Sequence, residues 1–211
     1  MEGEGKVKQR CLERIEWGVA ALVVLLAVVV WIEFRIHPGV NLTLFDIFPL
    51  FGLLAFSLMW THFIAGALRR KWEVPRSESD VYMTVSMGIV LALIVLHPGL
   101  LWYELWREGF GLPPASYLHV YSSQVLAVLL GSVSLFIFLA FELQRWYKER
   151  KWWKYVEYAQ VAAMVAIFFH ALALGGELSV AWYRVVWYVY ALALVGATGY
   201  TYWYDRVKNG G

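Results

Sequence analysis

Six stretches of the chain are apolar almost without interruption, at about 15–36, 45–68, 80–105, 118–145, 153–175 and 180–204. Polar residues gather in the short segments between them. Each stretch exceeds the roughly 20 residues that a helix needs to cross a hydrocarbon core. Inside lipid the backbone has no water to bond, so segments of this length must be helical. The pattern predicts an all-α integral membrane bundle of six transmembrane helices, one domain over residues 1–211, with the lipid bilayer as its first partner. The opening run, "VAALVVLLAVVVWIEF", is longer than the apolar part of a secretory signal and lacks a small-residue cleavage pattern, so it is expected to be a retained span.

Composition agrees. The chain is 61% hydrophobic with mean hydropathy +0.57, against about 45–50% apolar in soluble domains. Charged residues are 16%; about 25% is usual. Nothing resembles a strand–Gly-rich loop–helix unit for NAD, FAD or ATP, and no nucleic-acid partner is expected. The single cysteine, Cys11, rules out an internal disulfide, CxxC redox chemistry and Cys-rich zinc sites.

The net charge of +2 says less than its distribution. Lys6, Lys8, Arg10, Arg14, then Arg69, Arg70, Lys71, Arg76, then Arg145, Lys148, Arg150, Lys151, Lys154, and finally Arg206 and Lys208 fall on one side of a six-span chain. Only Arg35, Arg107 and Arg184 fall on the other. The positive-inside rule then predicts a multi-pass protein of the cell membrane with both termini cytoplasmic. Trp102, Tyr103, Trp106, Trp182, Tyr183, Trp187 and Tyr188 are expected as an outer aromatic belt. Trp146, Tyr147, Trp152, Trp153, Tyr200, Tyr202, Trp203 and Tyr204 are expected as an inner one. The outer connection "REGFGLPPASY" reads as a turn.

Five histidines carry the candidate chemistry. His97 lies 16 residues beyond Val81, and His170 lies 16 residues beyond Lys154. At 1.5 Å per residue both stand about 24 Å above the inner edge. Two level histidines on two parallel helices can hold one flat metallo-macrocycle between neutral imidazoles, as in bis-histidine haem b. Pro98 after His97 is expected to kink or end the helix. His37, in an identical HPG triplet, reads as an interfacial helix end. His119, Arg107, Arg184 and Tyr117 are outer groups that could pair with haem propionates, although each also reads as a plain interface anchor. His62 reads as a packing residue, as lining for a quinone pocket or as a ligand at a second site. Gly88, Gly131, Gly175 and Gly176 could admit a close-lying ring or helix.

The stretches "SLMWTHFIAGALRRKW", "GIVLALIVLHPGLL" and "KWWKYVEYAQVAAMVAIFFHALALGGELS" resemble the ferric reductase-like transmembrane domain. That family includes the membrane parts of ferric reductases and NADPH oxidases and the haem subunit of a bacterial methionine sulfoxide reductase. Its third and fifth helices each carry two histidines, 13 or 14 residues apart, that hold two stacked haems. The resemblance places His97 and His170 as the outer pair. At the inner positions stand Met83 and Glu157, so the two-haem relay is not expected. The larger members' flavin and nicotinamide domain is not expected either, because the chain stops seven residues after Tyr204.

The expected protein is a membrane cytochrome b, an electron-transfer subunit rather than a complete enzyme. One haem b near the outer side, with iron ligated by His97 and His170, would pass electrons between a quinol pool or partner and an outer-side redox partner. A quinone is a candidate second cofactor. Two alternatives come from other classes. One is a haem-free structural or assembly subunit of a larger membrane complex. The other is a transporter or hydrolase whose histidine–carboxylate metal site would draw on Glu104 or Glu177.

Overall fold

The structure, a computed structural model, describes residues 2–39, 41–74, 80–141, 143, 147 and 149–209, without the side chains of 2–6 and 209. Arg76, Arg145, Trp146 and Lys148, assigned above to the basic side or its belt, lie outside the described residues. Among the described residues there are seven α-helices: α1 (Glu2–Arg35), α2 (Leu44–Trp72), α3 (Val81–Arg107), α4 (Ala115–Val120), α5 (Val125–Phe141), α6 (Trp153–Leu174) and α7 (Ala181–Asn209). Five segments are long and apolar enough to cross a membrane: Val7–Arg35, Leu44–Trp72, Val81–Arg107, Ser122–Phe141 and Trp153–Leu174. The protein is an all-α chain of membrane character. The sixth expected span, α7, is as long as α2, but its many Trp and Tyr residues lower its hydropathy and it does not join that group.

Three other expectations are corrected. The stretch 118–145 is not one helix. It breaks at Tyr121 (φ −113°, ψ 34°), and a 3₁₀ turn at Ser122–Gln124 leads into α5. Gln124 there donates Nε2–H to the Ala173 carbonyl at 3.0 Å. Second, of the kink or end expected at Pro98 the end does not occur, because α3 runs nine residues further to Arg107. Proline has no N–H, so the Ile94 carbonyl loses its i+4 donor. In the other HPG triplet α1 has already ended, and Gly39 takes φ +85°. Third, Trp153, Tyr183 and Trp187 are buried within the protein, not at a belt. Trp102, Tyr103, Trp106, Trp152, Tyr188, Tyr202 and Trp203 are exposed as expected.

Side-chain contacts order the bundle. The pairs Trp31–Asp46 and Glu16–Arg69 set α1 antiparallel to α2. His62–Ser86 and Arg69–Asp80 set α2 antiparallel to α3. Ser134–Ala163 and Phe141–Trp153 do the same for α5 and α6. Helix α7 runs parallel to α2: Trp187 meets Phe56, Tyr190 stacks on Trp60 at 4.7 Å, and Asp205 pairs with Arg70 at 3.0 Å. In lipid the hydrophobic effect does not drive one helix onto another, so close packing and hydrogen bonds must hold the bundle. The Trp60 indole N–H donates to the Tyr190 carbonyl at 2.9 Å, and Trp187 is wholly enclosed.

Two ends follow from this order. At the basic end Arg69 donates to both Glu16 oxygens, at 2.8 and 3.0 Å, and meets Asp80 at 2.6 Å. All three residues are buried. The Asp80 side chain also caps α3 by accepting the Met83 N–H at 3.1 Å. One guanidinium thus joins α1, α2 and the start of α3. At the opposite end, Arg35 bridges the buried Glu177 at 2.8 Å and Asp46 at 3.4 Å. The helices carrying His97 and His170 both run from the basic end toward this second end.

Candidate functional site

His97 and His170 are seated by the same local device. The His97 Nδ1 lies 2.8 Å from the Phe48 carbonyl of α2, and the His170 Nδ1 lies 2.8 Å from the Ala127 carbonyl of α5. A carbonyl only accepts, so each Nδ1 carries the proton and each Nε2 keeps its lone pair. This is the tautomer and orientation that prepare a histidine to ligate a metal through Nε2. Four residues after each acceptor stands a glycine, Gly52 or Gly131. On a helix the residue at i+4 lies over the turn that begins at i. A Cβ on Gly52 would lie 2.8 Å from His97 Cε1, and one on Gly131 would lie 2.6 Å from His170 Cε1. The missing side chains leave room for both rings.

The two imidazole centroids lie 6.5 Å apart, with their planes at 84°. Helices α3 and α6 do not otherwise pack closely against each other; α3 packs on α2, and α6 on α5. With metal–nitrogen bonds of about 2 Å, two rings on opposite sides of one metal ion have centroids about 6 Å apart. The spacing, the neutral tautomer and the two Nε2 lone pairs fit a single ion gripped from two sides. Two ligands are too few for a bare metal ion, and among the described residues no cluster of three or more His, Cys, Asp or Glu could hold one. A planar macrocycle that fills four equatorial positions removes that shortage.

The other candidates lie apart from this pair. No hydrogen bond or ring contact links His119, Tyr117, Arg107 or Arg184 to His97 or His170. His119 is exposed against Phe110, with ring centroids 5.5 Å apart. Tyr117 accepts from the Trp102 indole; burial pushes its hydroxyl up to about 12, so it keeps its proton. Arg107 pairs with Glu104 at 2.7 Å, and Arg184 donates to the Leu178 carbonyl at 2.7 Å. His37 is exposed and bonds the Phe34 carbonyl at 3.1 Å, as a helix-end residue should. Glu104 and Glu177 are engaged by Arg107 and Arg35 and join no histidine. His62 meets Ser86 at 2.8 Å and lies edge-on to Tyr82. Of the glycines singled out, Gly131 touches a histidine, Gly88 faces open space, Gly175 lies against the Ala171 carbonyl and Gly176 against Phe34. Gly52 was not among them. Its one sequence signal is its place near the start of the second span, level with His97 on an antiparallel neighbour.

Comparison with protein-family models, characterised proteins and solved structures finds no match for this chain.

Proposed function

We propose that this chain is a membrane cytochrome b: an electron-transfer subunit that holds one haem b between His97 and His170. The observation that carries the reading is the paired seat of the two imidazoles, each with Nδ1–H given to a helix carbonyl and with centroids 6.5 Å apart. The resemblance of these stretches to the ferric reductase-like transmembrane domain supports it; Met83 and Glu157 stand where that family has its inner histidines, which limits the proposal to one haem.

The placement in the membrane is part of the same proposal. Helix α7 is the sixth span. It accompanies α2 from Trp187 to Lys208, about 30 Å at 1.5 Å per residue, and reaches the basic end where Lys208 meets Glu73 at 2.7 Å. An even number of spans puts both termini on one side, and the clustered Lys and Arg make that side cytoplasmic in the cell membrane. The histidine pair then lies in the outer half.

Each residue has a stated job. Phe48 and Ala127 fix the imidazole tautomers through their carbonyls. Gly52 and Gly131 give the rings their room. When bound, the haem supplies a one-electron couple whose potential is set by its axial ligands, hydrogen bonding and burial. The Phe48 ring lies against His97, with centroids 5.4 Å apart. Electrons pass between a membrane donor and a redox partner at the outer face.

The test is a dithionite-reduced minus air-oxidised absorption spectrum of purified protein, with haem-to-protein stoichiometry. Sharp b-type bands at one haem per chain support the reading. A colourless, folded protein from haem-supplied cells overturns it in favour of a structural subunit of a larger membrane complex.

A further inference from the structure

Helices α2 and α7 meet along a stripe of rings. Tyr183, Trp187 and Tyr190 follow the four- and three-residue spacing that keeps side chains on one face of α7. All three are enclosed, and on α2 Phe56 meets Trp187 while Trp60 stacks on Tyr190. Between Phe56 and Trp60 on α2 stands Ser57, wholly buried. It lies near the middle of α2, about 20 Å from either end at 1.5 Å per residue. With α2 as a membrane span this is the centre of the hydrocarbon, where lipid offers a hydroxyl nothing to bond.

Three hydroxyls collect there. The Ser57 Oγ stands beside both phenols, Tyr183 and Tyr190. Yet none of the three oxygens reaches hydrogen-bond geometry with any protein atom. A helical serine commonly bonds the carbonyl one turn back. Ser86 does so with the Tyr82 carbonyl at 2.6 Å, and Ser132 with the Val128 carbonyl at 2.9 Å. The Ser57 hydroxyl forgoes that bond. A phenylalanine would pack as well as either tyrosine and bury no hydroxyl. Buried polar groups are nearly always bonded, so three enclosed hydroxyls that come together from two helices and bond no protein atom point to a ligand.

We infer that Ser57, Tyr183 and Tyr190 form a buried water site that ties α7 to α2 in the middle of the bilayer. A hydroxyl both donates and accepts, so three of them suit a molecule that does the same. Buried water makes about three hydrogen bonds, to groups that otherwise have none. An anion would find no cation among these side chains. A cation would find no free negative charge, because Glu177, the carboxylate that acts on Tyr183, already meets Arg35 at 2.8 Å. The indole N–H groups alongside are engaged too, Trp60 with the Tyr190 carbonyl at 2.9 Å and Trp187 with the Phe168 carbonyl at 3.4 Å. Trp187 lies between the two tyrosines on α7. Water that holds them therefore also steadies the ring whose N–H reaches α6 two residues before His170.

The experiment is X-ray radiolytic hydroxylation of the full-length protein in lipid nanodiscs, mapped by mass spectrometry. Short pulses make hydroxyl radicals from water, and an enclosed side chain is marked when bound water lies against it. Tyr183 and Tyr190 should be marked at least tenfold faster than Tyr82, which is equally enclosed but bonded to Thr61. Ser57→Val, which removes the hydroxyl and fills its space, should bring both down to the Tyr82 level. Thermal unfolding gives an independent sign. Tyr183→Phe and Tyr190→Phe each take a partner from the water and should lower the midpoint, by about 3 °C for a chain of this size. Hydroxyls that bond nothing would instead be relieved by their removal, and the midpoint would rise. Marking of both tyrosines no faster than Tyr82, or midpoints in both Phe variants at or above wild type, overturns the inference. So does a wild-type midpoint that rises when sodium chloride replaces choline chloride and no longer does so in Ser57→Ala, which would give the site to a sodium ion.

Discussion

Gly131 lies so close beneath the His170 ring that a methyl group on it would stand 2.6 Å from Cε1. Real Cβ atoms do not tolerate that approach, and the atoms above it belong to a ring already tied to the Ala127 carbonyl. Adding the methyl must therefore move the imidazole rather than the helix. We expect Gly131→Ala, and equally Gly52→Ala under His97, to lower haem content at least tenfold while the protein remains folded by circular dichroism. Gly88→Ala, which meets open space, should change nothing. Full haem content in both of the first two variants would show that the rings do not sit in these notches.

The histidines themselves divide into two kinds. His97→Ala and His170→Ala should each abolish haem retention, because one axial ligand cannot replace two. His37→Ala should leave the spectrum untouched, since its ring is exposed and bonds only the end of its own helix. Haem retained in both of the first two variants would end the assignment.

Topology can be read from the single cysteine. Cys11 is exposed at the basic end of α1. A membrane-impermeant maleimide should label it in inverted vesicles and not in right-side-out ones. In a Cys11→Ser background, Arg206→Cys should label from the same side as Cys11. Labelling from opposite sides would mean that α7 does not cross.

The buried ion cluster at the basic end should govern stability. Arg69→Ala leaves Glu16 and Asp80 as two buried carboxylates without their cation, and removing one partner of such a cluster costs about 3–5 kcal/mol. Arg69→Lys keeps the charge but loses the two-pronged contact with Glu16, and its cost should be smaller. Thermal unfolding in detergent, following helical ellipticity, measures both. Equal midpoints for wild type and Arg69→Ala would show that the cluster carries no stability.

Much of this is legible in the sequence alone. Length and hydropathy placed α2, α3 and α6 to within a few residues, because a span must be long and nothing in lipid competes with the helix. Counting residues from the basic side brought His97 and His170 to one level, and their rings do meet. What stayed hidden depends on neighbours. Proline usually ends a helix in water, yet α3 continues through Pro98. The value of Gly52 lies in a carbonyl one turn earlier and a ring on another helix, and no local pattern records either. Nothing local marks Glu16, Arg69 and Asp80 as partners; the cluster forms only where three chain segments converge. Trp187 looks like a belt residue by composition and proves to be core because α7 runs beside α2.

The histidine seats also imply a repeat. In each hairpin, α2–α3 and α5–α6, the helix with the carbonyl and glycine comes first and the helix with the histidine second. The two histidine helices run in the same direction, so the two hairpins repeat one order of parts in one orientation along the bundle. Each hairpin presents one imidazole fixed by one carbonyl. The seat of the imidazole is thus one arrangement of carbonyl, glycine and ring used twice in the chain.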